Sequence, residues 1–252
     1  MTLALAKYSA SGNDFVLFHT FVKKDYSELA VKLCDRHRGI GADGLIVLVP
    51  HEELDFAWLF YNADGSEAAM CGNGSRAAAH YAYASGLAPS KMNFLTGAGV
   101  IAASVEGDVV ESQLTPYKIV KEGFEEEGHE WWLIDTGVPH LVTIVEDLKQ
   151  FDKELARKMR RKYNANVNYG TITGQNEIGV RTYERGVEDE TLACGTGMAA
   201  VFVRAFKEGR VGQAARLRPK SGEELAIRIE DERLFFKGRV ERIFSTFKEC
   251  EG

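Results

Sequence analysis

Residues 71–82, CGNGSRAAAHYA, recur at 194–205 as CGTGMAAVFVRA, and five of the twelve aligned positions are identical. Each copy begins with Cys-Gly-x-Gly, a glycine-rich turn that is followed by a run with helical spacing. A strand ending in Tyr61-Asn62 is predicted before the first copy, and one ending in Tyr183-Glu184 before the second. The offset of 123 residues is about half of the 252-residue chain and too long for a solenoid unit, so it indicates a duplicated domain.

Short alternating apolar runs make up most of the remaining chain and predict strands, with few helices between them. We therefore expect an α/β (α+β) fold of two pseudo-symmetric domains, each with a curved mixed or antiparallel sheet wrapped around the helix that follows its Cys-Gly-x-Gly. The first domain should span residues 1–115, with the tail at 241–252 returning to it, and the second should span 116–240. A substrate should lie in the cleft between them.

Two further predictions concern local structure. Ser27 is expected to cap a helix over Ser27–Arg36, because a serine hydroxyl can accept hydrogen bonds from the N–H groups of a first helical turn. The stretch Glu122–Glu130 is acidic and contains glycine, so it is expected to be an exposed turn.

The composition argues against several classes of protein. The net charge is −6 and no basic stripe is present, which argues against a nucleic-acid or membrane-surface partner. Neither a secretory signal nor an apolar run of about 18 residues is found, so no membrane span is expected. The four cysteines, at 34, 71, 194 and 250, have neither metal-ligand nor disulfide-framework spacing, which favours reduced thiols in the cytoplasm.

The positions of Cys71 and Cys194 suit acid/base chemistry. At the start of a helix, unpaired N–H groups and the helix dipole stabilise a thiolate, so the pKa of a cysteine there falls. The same N–H groups can hold a carboxylate. Inversion of a stereocentre needs a base on one face and an acid on the other, and two cysteines, one thiolate and one thiol, would serve. The pattern therefore favours an amino-acid racemase or epimerase that needs no cofactor.

A less specific interpretation stays open on the residues alone. A cysteine beside a glycine-rich turn is more often structural than reactive. Two such cysteines could also form a disulfide switch in a thiol-redox or binding protein. Cys34, on an apolar helix face, and Cys250, in the tail, belong to no motif and are expected to be bystanders.

Five segments carry a resemblance that runs through nearly the whole chain: SGNDFVLF (11–18), RHRGIGADGL (36–45), YNADGSEAAMCGNGSR (61–76), NVNYG (166–170) and YERGVEDETLACGTG (183–197). In their order and spacing, these segments resemble the diaminopimelate epimerase family. Proline racemase-like enzymes share the two-cysteine plan but usually have histidine where this chain has Asn73. Phenazine-type isomerases of the same fold lack the cysteine pair.

The resemblance implies interconversion of LL- and meso-2,6-diaminopimelate, in the synthesis of lysine and peptidoglycan precursors, with neither pyridoxal phosphate nor a metal. It implies that Cys71 and Cys194 are the acid/base pair and that His140 lies near them in support. The residues that match the family's substrate contacts are Asn13, Asn62, Gly72, Asn73, Asn168, Glu184, Arg185, Gly195 and Thr196. Taken alone, the asparagines would be ordinary turn residues and the Glu-Arg pair ordinary surface charges.

Two positions depart from the family pattern. Val138 stands before Pro139-His140 where many members have asparagine, and Gly44 stands where a glutamine often follows the glycine-rich segment. One polar contact to the substrate is therefore in question, and the distal end of the substrate is expected to be held differently. The expected partner is a small amino acid, a homodimer is left open, and a proline or hydroxyproline racemase is the competing activity.

Overall fold

The structure, a computed structural model, describes residues 2–249, so Cys250 lies outside the described residues. The chain divides into two compact units. The first unit contains the residues up to Gln113 together with those from Gly238 onward, and the second contains Leu114–Lys237. Within residues 2–249, no helix is long and apolar enough to cross a membrane.

Residues 2–249 form 17 strands and four α-helices. The strands are β1 (Thr2–Ala10), β2 (Asn13–His19), β3 (Gly44–Val49), β4 (Phe56–Asn62), β5 (Lys91–Thr96), β6 (Gly99–Glu106), β7 (Val109–Gln113), β8 (Lys118–Glu126), β9 (His129–Asp135), β10 (Pro139–Ile144), β11 (Asn166–Gly174), β12 (Glu177–Glu184), β13 (Asp189–Thr191), β14 (Ala214–Arg218), β15 (Leu225–Glu230), β16 (Arg233–Arg239) and β17 (Glu241–Glu249). The helices are α1 (Ser27–Cys34), α2 (Gly72–Ala84), α3 (Lys153–Tyr163) and α4 (Gly195–Lys207).

The strands of the two units pair in the same order. In the first unit the order is β17-β1-β2-β3-β4-β5-β6-β7, in which β2–β3 and β4–β5 are parallel and the other pairs are antiparallel. In the second the order is β8-β9-β10-β11-β12-β14-β15-β16, in which β10–β11 and β12–β14 are the parallel pairs. Parallel neighbours need a crossover connection, and each of these four crossovers contains one of the helices. The expected α/β fold of two pseudo-symmetric units is confirmed.

Each unit wraps its strands around a buried helix. The helix α2 packs against β1, β2, β3, β6 and β7, and its small residues, among them Ala77, Ala78 and Ala82, let strands approach from several sides. The helix α4 packs against β9, β10, β11 and β12 with larger apolar side chains such as Val201 and Phe202. Ten of the 13 residues of α2 and nine of the 13 residues of α4 are buried, as expected for a helix in the centre of a unit rather than on its surface.

The helix predicted over Ser27–Arg36 is present as α1, which ends at Cys34, but the predicted cap and the predicted acidic turn were wrong. Ser27 is the first residue of α1 rather than its cap, and its hydroxyl donates to Asp25 instead of accepting from the helix. Most of the acidic stretch Glu122–Glu130 lies in the antiparallel pair β8–β9, and its turn is confined to residues 127–128. Tertiary contacts explain this difference, because Lys162 and Tyr163 of α3 hydrogen-bond to Glu126 and offset the charge of the strand.

Candidate active site

Cys71 immediately precedes α2, in an extended conformation with φ −149° and ψ 119°. Its half-buried side chain turns back over the start of the helix, where Sγ accepts a hydrogen bond from the Gly74 N–H at 3.4 Å. Gly74 leaves room for this contact, because an added Cβ would lie 3.3 Å from the Cys71 Cβ. The sulfur therefore lies at the positive end of the helix dipole, where a thiolate is favoured.

A chain of asparagine side chains leads away from this helix start. Asn73 is buried in the first turn of α2, and its Nδ2 donates to Asn13 Oδ1 at 2.8 Å. Asn13 in turn donates through Nδ2 to Asp43 Oδ2 at 3.0 Å. Two of the predicted substrate contacts, Asn13 and Asn73, are thus joined directly, and they lie in the same unit as Cys71.

Arg76, which the sequence analysis did not single out, supports this chain from behind. Its side chain is fully buried, and Nη2 donates to Asn73 Oδ1 and to Ser11 Oγ, both at 2.7 Å. Nη1 donates to the Arg239 carbonyl oxygen at 3.2 Å. The bond to Oδ1 sets which end of the Asn73 amide faces Asn13. An arginine directly before three alanines in the predicted helix is the sequence signal that could have indicated this role.

The segment RHRGIGADGL acquires a structural role as the support of Asn13. Arg36 donates to Asp14 and Asp43, at 2.8 and 2.7 Å, and Lys7 donates to Asp14 at 2.7 Å. Burial opposes ionisation of Asp14, but the hydrogen bonds from Arg36 and Lys7 prevail and lower its pKa to about 2. The Asp43 carboxylate that holds Asn13 is therefore part of an ion-pair network, which we call the Lys7–Arg36 network.

Asn62 lies at the end of β4, in an exposed turn where its Nδ2 donates to Ser66 Oγ at 3.0 Å. It pairs with Gly44 across β3 and β4, and Gly44 directly follows Asp43 in the chain. At Gly44 itself an added Cβ would lie 2.6 Å from the Phe60 ring, so no side chain fits there without a shift of the backbone. Packing against β4 therefore accounts for glycine at this departure from the family pattern.

Cys194 occupies the equivalent position before α4, with φ −129° and ψ 108°, and is 8% exposed. Its Sγ lies 3.6 Å from the Thr196 hydroxyl oxygen. The carbonyl oxygen of Thr196 accepts a hydrogen bond from the Thr136 hydroxyl at 2.9 Å, which fixes the first turn. Gly195 lies against the Phe236 ring, where an added Cβ would come within 3.2 Å. The structure thus brings the predicted residues Cys194, Gly195 and Thr196 together.

His140 and Asn168 form a buried pair in the second unit. Asn168 Nδ2 lies 3.0 Å from His140 Nδ1 and 3.3 Å from the Leu141 carbonyl oxygen, and both side chains are fully buried. Burial lowers the pKa of His140 to about 3, so the ring is neutral at physiological pH. The pair belongs to the α4 site, because an added Cβ on Gly197 would lie only 2.3 Å from Asn168 Oδ1.

Glu184 and Arg185 follow one another at the end of β12. Burial raises the pKa of Glu184, and the Thr191 hydroxyl only partly offsets this effect. The Arg185 guanidinium donates to the Asn164 carbonyl oxygen at 3.0 Å, and its backbone N–H donates to Asn166 Oδ1 at 2.8 Å. Asn166 was not predicted as a site residue, although it belongs to the same NVNYG segment as Asn168.

Three further sequence predictions concern Cys34, Val138 and metal binding. Cys34, Cys71 and Cys194 are thiols rather than disulfides, and burial raises the pKa of Cys34 to about 12, which suits a bystander. Val138 is half-buried, and its carbonyl oxygen accepts from the Thr136 N–H at 3.2 Å. Within residues 2–249, no cluster of three or more His, Cys, Asp or Glu side chains is arranged to hold a metal ion.

Comparison with known proteins identifies relatives over almost the full length. A family profile described as diaminopimelate epimerase matches residues 5–120 and 132–243. The chain is 71% identical to a diaminopimelate epimerase of a Nitratiruptor species, over 98% of this chain and 99% of the relative. It is 55% identical to a diaminopimelate epimerase of Campylobacter lari, over 94% of this chain and 96% of the relative. A phenazine biosynthesis protein of the PhzF family from Enterococcus faecalis shares the fold, with a TM-score of 0.76 at 14% identity over 99% of this chain and 100% of that one.

Proposed function

Because the chain belongs to the diaminopimelate epimerase family, we propose that it interconverts LL- and meso-2,6-diaminopimelate by proton transfer at one α-carbon. The observation that carries this proposal is the pair of Cys-Gly-x-Gly helix starts, one in each unit of a chain that matches the family throughout. The reaction would supply the meso isomer for lysine and peptidoglycan precursor synthesis.

The proton transfer is assigned to Cys71 and Cys194. One sulfur, as thiolate, takes the α-proton and becomes a thiol, while the electron pair of the C–H bond stays on the α-carbon and its carboxylate. The other sulfur, as thiol, then gives its proton to the opposite face of that carbon and becomes a thiolate. One proton is removed and one is added, so the configuration inverts without a redox step. The thiols supply both protonation states, so the proposed reaction uses no cofactor.

The backbone at the two helix starts is proposed to bind the reacting end of the substrate. The N–H groups of Gly72 and Asn73 begin α2, those of Gly195 and Thr196 begin α4, and such groups bind carboxylates. A carboxylate held there also stabilises the charge that develops when the α-proton leaves. This electrostatic contribution matters because an amino-acid α-proton is only weakly acidic.

The remaining side chains are proposed to recognise the rest of the substrate. Asn13 and Asn62 can offer amide groups to its polar ends, and Arg185 can grip a carboxylate through two parallel hydrogen bonds. Glu184, whose pKa is raised by burial, can accept from the ammonium group or exchange protons with a thiol. His140 and Asn168 are assigned a supporting role.

The setting of the enzyme is also a proposal. The mechanism needs cysteines that stay reduced, and the cytoplasm keeps them so. A small amino acid is the proposed partner. A homodimer stays open as the assembly, and sedimentation velocity tests it.

Solvent deuterium incorporation tests the proposed function. In D2O, the protein should epimerise LL- and meso-diaminopimelate and place deuterium at the inverted α-carbon, as measured by mass spectrometry and NMR. A protein in which both cysteines are replaced by serine provides the background rate. Exchange at proline or hydroxyproline alone would replace the substrate assignment with that of a proline racemase. No exchange with any of these amino acids would favour a thiol-redox or binding protein.

A further inference from the structure

The orientation of the Asn168 amide follows from its neighbours. Nδ2 lies 3.3 Å from the carbonyl oxygen of Leu141, an atom that can only accept a hydrogen bond. Oδ1 accepts from the Thr182 hydroxyl at 2.9 Å. If the amide were turned over, two oxygens would face each other at Leu141. The NH2 group of Asn168 must therefore point toward β10.

This orientation determines the tautomer of His140. The NH2 group of Asn168 also lies 3.0 Å from His140 Nδ1, and an amide NH2 can only donate. Nδ1 must therefore be the acceptor, which places the single proton of the neutral ring on Nε2. Protonation of Nδ1 would set two donors against each other.

The Nε2–H group is a buried donor with no hydrogen-bond partner within residues 2–249. A buried donor that lacks an acceptor destabilises the fold, so a native protein seldom retains one without a use. His140 pairs with Asn166 across the parallel strands β10 and β11, and Asn166 holds the backbone of Arg185. Asn168 itself lies against Gly197, three residues after Cys194. The donor thus belongs to the half of the site built on α4.

We propose that Asn168 is a positioning residue that holds His140 as a neutral Nε2–H donor for an anion present during turnover, so that His140 neither removes nor delivers a proton. The anion is a carboxylate of the substrate or the thiolate of a catalytic cysteine, both of which accept a hydrogen bond. Thr182 is a second positioning residue, because its hydroxyl donates to Oδ1 at the opposite end of the Asn168 amide. The inference rests on the proposed function only for the identity of the anion.

The tautomer can be measured without substrate by NMR of the full chain carrying 15N-labelled histidine. Protonated and unprotonated ring nitrogens differ widely in 15N chemical shift, and His140→Gln identifies the His140 signals by their loss. At pH 7 we expect a protonated Nε2 and an unprotonated Nδ1. A protonated Nδ1, alone or together with Nε2, would overturn the proposal. This result does not depend on any activity toward diaminopimelate, so it separates failure of the inference from failure of the proposed function.

Variants of the two supporting residues test what holds the tautomer. Asn168→Asp presents only acceptor atoms to Nδ1, so the ring proton should move to Nδ1 or the ring should become charged. Thr182→Val removes the hydroxyl that donates to Oδ1 and leaves the amide held by the Leu141 carbonyl oxygen alone, so a minor Nδ1–H tautomer should become detectable, whereas the matched variant Thr182→Ser should retain Nε2–H alone. Circular dichroism checks that each variant folds. If Asn168→Asp does not fold, the comparison of Thr182→Val with Thr182→Ser tests whether the amide of Asn168 sets the tautomer. An unchanged tautomer in both Asn168→Asp and Thr182→Val would show that Asn168 does not set it.

Activity then distinguishes a donor from a base. Glutamine at position 140 can still donate, so His140→Gln should retain kcat/KM to within about 10-fold, whereas His140→Leu should lose about 10- to 100-fold more, the range for a hydrogen bond to a charged acceptor. Equal losses in the two variants would indicate that His140 transfers a proton. A rise in KM with kcat unchanged identifies a substrate carboxylate as the anion. A loss in kcat, with slower alkylation of the thiols by iodoacetamide, identifies a thiolate.

Discussion

The two candidate catalytic cysteines share a position but differ in the contacts of their sulfur atoms. Cys71 Sγ accepts from a backbone N–H of α2, a contact that stabilises a thiolate. Cys194 Sγ lies beside the Thr196 hydroxyl, which can donate or accept, and its side chain is the more deeply buried. A pair that must alternate between thiol and thiolate needs neither state to be fixed, and these contacts allow both.

Replacing either thiol should slow proton transfer strongly. Cys71→Ser and Cys194→Ser should each lower kcat by about 100- to 10,000-fold, the usual contribution of a positioned acid or base, because a serine hydroxyl ionises far less readily than a thiol. Rates of epimerisation between LL- and meso-diaminopimelate measure the effect. Cys34→Ala, which alters a thiol outside the site, should keep kcat near that of the unaltered protein. Full activity in both serine variants would remove the two cysteines from the mechanism.

At the scale of the element, glycine is required where α4 meets the strand beneath it. The first turn of α4 approaches β11 so closely that Gly197 leaves no room for a methyl group beside Asn168. The same strand is met one turn further along, where an added Cβ on Gly170 would lie 2.4 Å from Val201 Cγ1. The helix start that carries Cys194 is therefore positioned by close backbone packing as well as by hydrogen bonds.

Gly197→Ala should destabilise the protein and disturb the site. The added methyl group must displace Asn168, and such overpacking of a buried position costs about 1–3 kcal/mol. Urea unfolding monitored by circular dichroism measures this cost. Gly212→Ala is the matched control, because its added Cβ would meet nothing closer than 3.5 Å, and its free energy of unfolding should stay within about 0.5 kcal/mol of the unaltered protein. Equal stability of the two variants would mean that α4 can move away from β11 without loss.

At the scale of the whole molecule, an ion-pair network that runs from buried Lys7 to exposed Arg36 connects elements of the first unit. The Lys7–Arg36 network joins β1, β2 and the loop between α1 and β3, which are far apart in sequence. Its carboxylates must be ionised to form these ion pairs. Stability at low pH therefore depends on the network as well as on the apolar core.

Asp14 should make the fold sensitive to acid. Its pKa falls from 3.8 to about 2 on folding, so its contribution to stability is complete above about pH 4 and is lost as the pH falls toward 2. The difference in unfolding free energy between the unaltered protein and Asp14→Asn should therefore shrink as the pH is lowered from 5 to about 2.5. Urea unfolding across this range measures it. A difference that does not change with pH would show that Asp14 titrates normally in the fold.

Much of the architecture was predictable from local sequence because its signals are local. The two Cys-Gly-x-Gly turns place the starts of α2 and α4, and their repetition anticipated the repeated order of strand pairing. The acidic segment before Trp131 was predicted to be a turn because its composition is that of a turn. Pairing with β9 and an ion pair from α3 make most of it a strand. Long-range pairing of that kind leaves no mark in the segment itself.

The sequence predicts the candidate site as a set of residues but not as a set of contacts. Asn168 matched a substrate-binding position by motif, whereas the fold places its amide among His140, Leu141 and Thr182. Arg76 and Asp43 were not predicted as site residues, because a charge becomes informative only once its burial and partners are known. Hydrogen-bond partners in both units come from strands that are distant in the chain.

Local sequence is enough to specify the duplicated plan, the two helix starts and the residue types that can move a proton there. Each depends on a short stretch in which glycine permits a turn and the unpaired N–H groups of a helix favour an anion. Tertiary contacts were needed to show which side chains hold Asn13 and Asn73 and which ring nitrogen of His140 carries the proton. They also explain why a side chain does not fit at Gly44 or Gly197. These depend on the distances between strands and helices brought together from remote parts of the chain, and burial then turns each distance into an energetic requirement.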